Sequence, residues 1–297
     1  MAVLDDLAAS QASWSATADT LKKIVGRART ATFALGAIGA LAASIAGQLP
    51  ADLAYRAWVS GLAAICLGIA TFLTARFLTG QNIQGWGRAR IASEGMKRAG
   101  FLFATRSAPY DGADAEQKLT ADKRAIETAV QDLVPALVDA RPKGSTPTAM
   151  LPAGDYVVRR LSPQIEKFYE PASKRARHNA ARLRAVELGL ALVATAITIL
   201  ATIVGKHVNV AGVVLDLAAF TAVLTTVGGA VLAHLEAQRF DFLASIYQAT
   251  AGGLRDKRSE FEAGTAGDTS TFVNACEALI ASENGAWMAK LTGRNTP

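Results

Sequence analysis

Four unbroken apolar stretches leave this chain few folds to choose from. Residues 31–49 carry no charge, and residues 57–75 sit between Arg56 and Arg76. Residues 188–205 run between Glu187 and Lys206, and residues 217–235 between Asp216 and Glu236. Each reaches the ~18 residues that a helix rising 1.5 Å per residue needs to cross a ~30 Å hydrocarbon core. In lipid every backbone polar group must find a partner within the segment, so such stretches become helices. The short loops between the first and second stretches and between the third and fourth make two hairpins. The sequence therefore predicts an all-α fold: four transmembrane helices in two hairpins, with cytosolic amphipathic helices outside them.

Charge placement sets the orientation. Lys22, Lys23, Arg27 and Arg29 precede the first span, and Arg76, Arg88, Arg90, Lys97 and Arg98 follow the second. Lys174, Arg175, Arg177, Arg182 and Arg184 precede the third, and Arg239, Arg255, Lys257 and Arg258 follow the fourth. The hairpin loops hold only Asp52 and Arg56 in one and Lys206 and Asp216 in the other. Lys and Arg flanking spans collect on the cytoplasmic side, which assigns both termini and the central segment to the cytoplasm. The same residues account for the net charge of +6 through attraction to anionic lipid, and no nucleic-acid partner is implied. No signal peptide is read at the start, where Asp5 and Asp6 open a segment whose first apolar run is long enough to stay in the membrane. Cys66 falls inside the second span and Cys276 in a cytosolic helix, so neither a disulfide nor a metal cluster is expected.

The halves resemble each other in plan. Each has a helical lead-in with an aromatic residue (Trp14; Tyr169), two spans, and a long amphipathic helix. Residues 114–140 read as one helix with Ile126, Val130, Leu133 and Leu137 on its apolar side. Residues 141–154 (RPKGSTPTAMLPAG) lack periodicity and read as a linker. The division is a first module over 1–140, the linker, and a second module over 155–297.

Three soluble stretches narrow the reading further. Residues 86–110 carry Trp86, Arg90, Ala92, Glu94, Lys97, Pro109 and Tyr110; residues 155–176 carry Tyr156, Arg160, Gln164, Tyr169 and Ala172; residues 276–291 carry Glu277, Glu283, Asn284 and Trp287. With the paired spans, these resemble the bacterial SLATT families, the SMODS- and SLOG-associating two-transmembrane effector domains, here as two tandem modules. The resemblance implies a multi-pass protein of the bacterial inner membrane that acts as an effector in a conflict or stress system. It also implies a nucleotide-sensing or nucleotide-producing partner. The chain has no Gly-rich phosphate loop and no sensor-sized soluble domain, so such a partner would be a separate polypeptide, and no cofactor is expected.

Two readings of the motif residues stay open. Trp86 with Tyr110, and Tyr169 with Trp287, can simply pack helices together, with Arg90 and Glu94 an i,i+4 pair. Alternatively Arg160, Glu283 and Asn284 form a polar switch between the halves. Glu277 and Glu283, six residues apart, are expected on different faces of one helix.

Inside the spans, Gly36, Gly39, Ala40, Ala43 and Gly47 share one face, as do Gly61, Ala64 and Gly68; small residues let helix backbones approach in lipid. This seam serves hairpin packing or homo-oligomer contacts. Thr195, Thr198 and Thr202 share a face of the third span, and Thr221, Thr225 and Gly228 one of the fourth. Such hydroxyls line wet pores, or bond back to their own helix. No span carries a central Asp, Glu, Lys or Arg, which argues against an ion-coupled transporter. The scattered His178, His207 and His234, with no Walker loop or HExxH, give no enzyme template. The leading expectation is an oligomeric effector that permeabilises the membrane. The alternatives are a non-catalytic scaffold anchoring a cytosolic partner and a constitutive small-solute channel.

Overall fold

The computed structural model describes residues 2–292 apart from 52, 143, 211 and 212, and leaves out the side chains of Val210, Val213, Asn284 and residues 286–292. Long helices dominate. Helices α1 (Ala2–Gln48), α2 (Ala54–Phe77), α3 (Gly80–Ala104) and α4 (Ala115–Ala129) make the first half. The second has α5 (Ala153–Tyr156), two π-helical segments (Val157–Leu161 and Gln164–Tyr169), α6 (Glu170–Val204), α7 (Leu217–Gln238), α8 (Phe240–Glu262) and α9 (Thr269–Thr292). The four expected spans lie in α1, α2, α6 and α7.

These helices divide between two compact units that cut across the sequence halves. The apolar unit comprises Val25–Thr79 and Ala176–Asp241. Its four candidate spans bury only 6–17% of their most apolar windows, while Ile65, Phe72, Leu192 and Ile203 are exposed. Helices of a soluble core would hide such side chains, so lipid is the solvent that fits this unit. Within it Gly39 faces α2 closely: a Cβ there would lie 2.8 Å from Leu67 Cγ and 3.3 Å from Cys66 Cβ. Ala42 and Ala46 share that face of α1 and are buried, as are Ala63, Cys66 and Ala70 along α2. Gly36, Gly47, Gly61 and Gly68 have open space where a Cβ would stand, and Ala43 is exposed.

The loop of the second hairpin adds what the all-α reading did not include. His207–Val210 and Val213–Asp216 pair as a small antiparallel ribbon, β1 and β2. The β-branched run in this loop suits strand geometry. Asp216 then caps α7, its carboxylate accepting from the Ala218 and Ala219 amides at 2.9 and 3.4 Å. That is the usual service of an Asp ahead of a helix. The Asp216 amide itself donates to the Gln48 side chain at 2.9 Å, linking the two hairpins.

The polar unit takes residues up to Ile24, Gly80–Arg175, and Phe242 onward. Its core gathers Leu7 and Trp14 of α1, Met96 and Phe101 of α3, Leu119 of α4, Leu161 and Ile165, Leu254 of α8, and Phe272 and Val273 of α9. The helix expected over 114–140 is shorter. It ends at Ala129 and passes into a 3₁₀ turn over Gln131–Ala136. Pro135 explains this, since it lacks an amide hydrogen and its ring clashes with the carbonyl four residues back. Val130 is buried and Ile126 and Leu133 pack on the core, but Leu137 is exposed. No regular element occurs among the described residues between 137 and 152, yet the segment is fastened. Ser145 and Thr146 donate to Gln11 Oε1 at 3.1 and 3.0 Å, and the Leu151 amide donates to the Ala104 carbonyl at 2.8 Å. Gly100 permits this close passage, because a Cβ there would stand 2.8 Å from Thr146.

Candidate functional site

Two prolines shape the helix that holds the most buried charge. Pro163 and Pro171 both lie on the helical path from Ala153 to Val204, where each would collide with the carbonyl four residues earlier, at Arg159 and Lys167. Both carbonyls fall inside the π-helical segments, whose wider turn relieves the clash. The ends confirm the register: the Ser162 amide bonds the Val157 carbonyl and the Glu170 amide the Ile165 carbonyl, each five residues back. The resulting face buries Tyr156, Arg160, Leu161, Ile165 and Tyr169.

Arg160 is only 1% exposed and Glu277, on α9, is fully buried. They form a two-pronged pair, Nε to Oε1 at 2.9 Å and Nη2 to Oε2 at 3.0 Å. The Tyr156 hydroxyl donates to the same carboxylate at 3.1 Å. A second carboxylate, Glu94 of α3, stands 3.8 Å from Arg160 Nη2, and the Phe101 ring lies under the guanidinium at 5.1 Å. Helix α3 adds Arg90 and Lys97, which share the Glu94 face at i−4 and i+3. Arg90 stacks over Phe168 at 5.6 Å. Glu283 completes the cluster, accepting from the Tyr169 hydroxyl at 3.4 Å. Phe168, Tyr169 and Tyr247 of α8 form an aromatic group beside it.

The protonation states follow from this packing. Burial works against the Arg160 charge, but Glu277 and Glu94 more than offset it and hold the guanidinium above its usual pKa. Burial would raise Glu94, yet Lys97, Arg160 and Arg90 keep it below the ordinary carboxylate value. Lys97 is lowered, chiefly by burial. Glu283 has less help: burial pushes it up to about 7, with Arg90 pulling the other way. Burial and the nearby Glu277 raise the Cys276 thiol to about 12, so this free cysteine is an inert core residue.

The motif residues are thus partly united. Arg90, Glu94, Lys97, Tyr156, Arg160, Tyr169, Glu277 and Glu283 meet in one cluster. Glu277 and Glu283 do leave α9 in different directions, but both are buried, because α9 packs against α3 and also against α5. Trp86 is half-buried against the core, and Gln164 is half-buried at the start of the second π segment. Tyr110 stands apart: it is buried with its hydroxyl on Asp122 of α4 at 2.5 Å. Asn284 and Trp287 lie outside the described side chains. Sequence reasoning passed over Phe101, Phe272 and Tyr247. Phe101 and Phe272 set their edges against Tyr156 at 5.8 and 6.0 Å, and no spacing signal distinguishes them from other core aromatics.

In the apolar unit the threonine stripes converge. Thr195 and Thr198 of α6 and Thr221 and Thr225 of α7 line one groove with Ala191, Ala194, Leu224 and Gly228. Thr198 and Thr221 are within hydrogen-bond reach at 3.4 Å. All four also donate to carbonyls of their own helices, as does Thr202, which is not among the groove residues.

Comparison with known families gives two matches. Residues 10–118 match a family described as a protein of unknown function (DUF4231), and residues 156–287 match the SMODS and SLOG-associating 2TM effector domain 1. No curated protein and no solved structure matches the chain. Each matched stretch holds two of the four apolar spans, and the buried cluster draws on both. Residues 156–287 of this multi-pass membrane chain are thus similar to the SMODS and SLOG-associating 2TM effector domain, and a second two-span stretch lies ahead of them within residues 10–118.

Proposed function

We propose that the protein is an effector of a bacterial conflict or stress system that oligomerises in the inner membrane and opens a conduit. A signal from a separate cytosolic nucleotide-sensing protein triggers it. Both termini are cytoplasmic in this reading, following the Lys and Arg bias. The observation that carries it is the hydroxyl groove of the second hairpin, where Thr195, Thr198, Thr221 and Thr225 meet on one side. A second copy seated over that groove encloses a polar surface within the bilayer. Small residues away from the first hairpin's own seam, Gly61 and Gly68 among them, give copies a place to approach closely. The cluster around Arg160 joins the two modules and is the element that a partner would rearrange.

The second reading is a non-catalytic scaffold for a cytosolic partner. It is favoured by the self-satisfaction of the groove, whose hydroxyls already donate to their own helices and need no water. Thr198→Leu separates the two. In planar bilayers, activated effector carrying this change should lose its conductance, because an apolar constriction dewets a narrow pore. It should still insert and oligomerise. Conductance unchanged in both Thr198→Leu and Thr225→Leu would refute the conduit.

A further inference from the structure

Beside the charged cluster lies a cavity of about 250 Å³. Ile91, Glu94, Gly95 and Arg98 line it from one face of α3, and Glu277, Ile280, Ala281 and Gly285 from one face of α9. Arg160 reaches it from the helix between them. The walls are mostly apolar, and at ~30 Å³ per molecule of liquid water the space has room for several waters.

Two of the lining residues, Arg160 and Arg98, each hold a buried guanidinium nitrogen without a partner among the described residues. Arg160 commits Nε and Nη2 to Glu277, while its Nη1 is buried with no hydrogen-bond partner among the described residues. Arg98 Nε is likewise buried and unpartnered. A buried donor left unpaired is costly, and native structures keep such groups mainly where something else supplies the acceptor. The surrounding charge favours a negative one. Arg90, Lys97 and Arg160 gather around Glu94, Glu277 and Glu283, Glu277 is already spent on Arg160, and Arg98 adds a further positive charge to the lining. Guanidinium groups hold carboxylates and phosphates by paired N–H donors.

We propose that this cavity binds a small organic anion, its carboxylate or phosphate meeting Arg98 and Arg160 and its apolar body resting on Ile91, Ile280 and Ala281. Because the lining comes from both modules, the bound anion fixes their junction. That it thereby sets the effector's state rests on the function proposed above; the binding itself does not.

The test uses the full chain in phosphatidylcholine nanodiscs, a bilayer without net-anionic headgroups to compete. Titration calorimetry is run with benzoate, phenyl phosphate and the neutral isostere benzamide. Benzoate or phenyl phosphate should bind saturably, with benzamide about tenfold weaker or worse. Arg98→Gln removes one donor at a half-buried position and should weaken the anion about tenfold. Ala281→Leu fills the cavity without touching a charge and should also abolish binding, with the melting temperature of both variants checked against the parent. Absent saturation, equal binding of benzamide, or parent-like binding by either variant would overturn the site. Conductance is measured separately, after the same proteins are reconstituted into planar bilayers. Anion binding with no effect on current would remove the triggering role and leave the site standing.

Discussion

Removing Glu277 tests whether the Arg160 cluster is held by its charge pairing. Glu277→Ala takes away the carboxylate that receives two guanidinium N–H groups at 2.9 and 3.0 Å and the Tyr156 hydroxyl at 3.1 Å. It leaves a guanidinium that is 1% exposed with Glu94, at 3.8 Å, as its remaining counter-charge among the described residues. Stranding one partner of a buried pair costs about 3–5 kcal/mol. For a body the size of the polar unit that is a fall of roughly 6–20 °C in melting temperature. The double change Arg160→Met with Glu277→Leu removes both charges and fills the space with apolar atoms. It should recover to within about 1–3 kcal/mol of the parent, the remainder being the bared Tyr156 hydroxyl. Thermal unfolding in detergent, followed by intrinsic fluorescence with buried Trp14 among its reporters, compares the parent with both variants. A single change that costs under about 1 kcal/mol, or a double change that costs as much as the single, would refute the argument that pairing holds the cluster.

Three further outcomes follow from the same geometry. Glu283 has a folded pKa near 7 against an ordinary value of 4.5, so the folded state holds the extra proton between them. Stability should fall as pH rises from about 4.5 to 7 and then level off, and Glu283→Gln should flatten that slope in denaturant titrations across this range. Gly39→Ala drives a methyl to 2.8 Å from Leu67 and should destabilise the first hairpin by about 1–3 kcal/mol, whereas Gly68→Ala meets open space and should be near neutral in the same detergent melts. Reporter fusions near residues 1, 145 and 297 should read cytoplasmic and those in 50–56 and 206–216 periplasmic; a periplasmic reading at 145 would overturn the two-hairpin topology.

The fold was legible wherever one physical constraint dominated. Uncharged runs of span length admit only helix in lipid, so the spans in α1, α2, α6 and α7 could be read directly. The His207–Val210 and Val213–Asp216 ribbon was not, although its valines carried the signal; a loop between two spans was weighed by length and charge alone. The helix expected through Ala140 overlooked Pro135, whose local geometry outweighed an apolar periodicity that three of its four residues do follow. For the site, the motif spacing named most members of the cluster, yet not its wiring. Nothing in the sequence tells Arg160 to choose Glu277 over Glu94, because that choice depends on the turn widened by Pro163 and on a helix more than a hundred residues downstream.

That distance has a consequence for the newborn chain. Glu94 and Arg90 leave the ribosome long before Arg160, and Glu277 and Glu283, on α9, are the last of the cluster to arrive. At roughly 5–20 residues per second, the ~190 residues from Glu94 to Glu283 take about 10–40 s to synthesise. Through that interval the first two spans can already be inserted while the charges of α3 wait, solvated and uncommitted, for their partners. The polar unit therefore closes only after α9 has been made. Two separately expressed halves, cut within residues 137–152, should each stay open until mixed, much as subunits of an obligate dimer do.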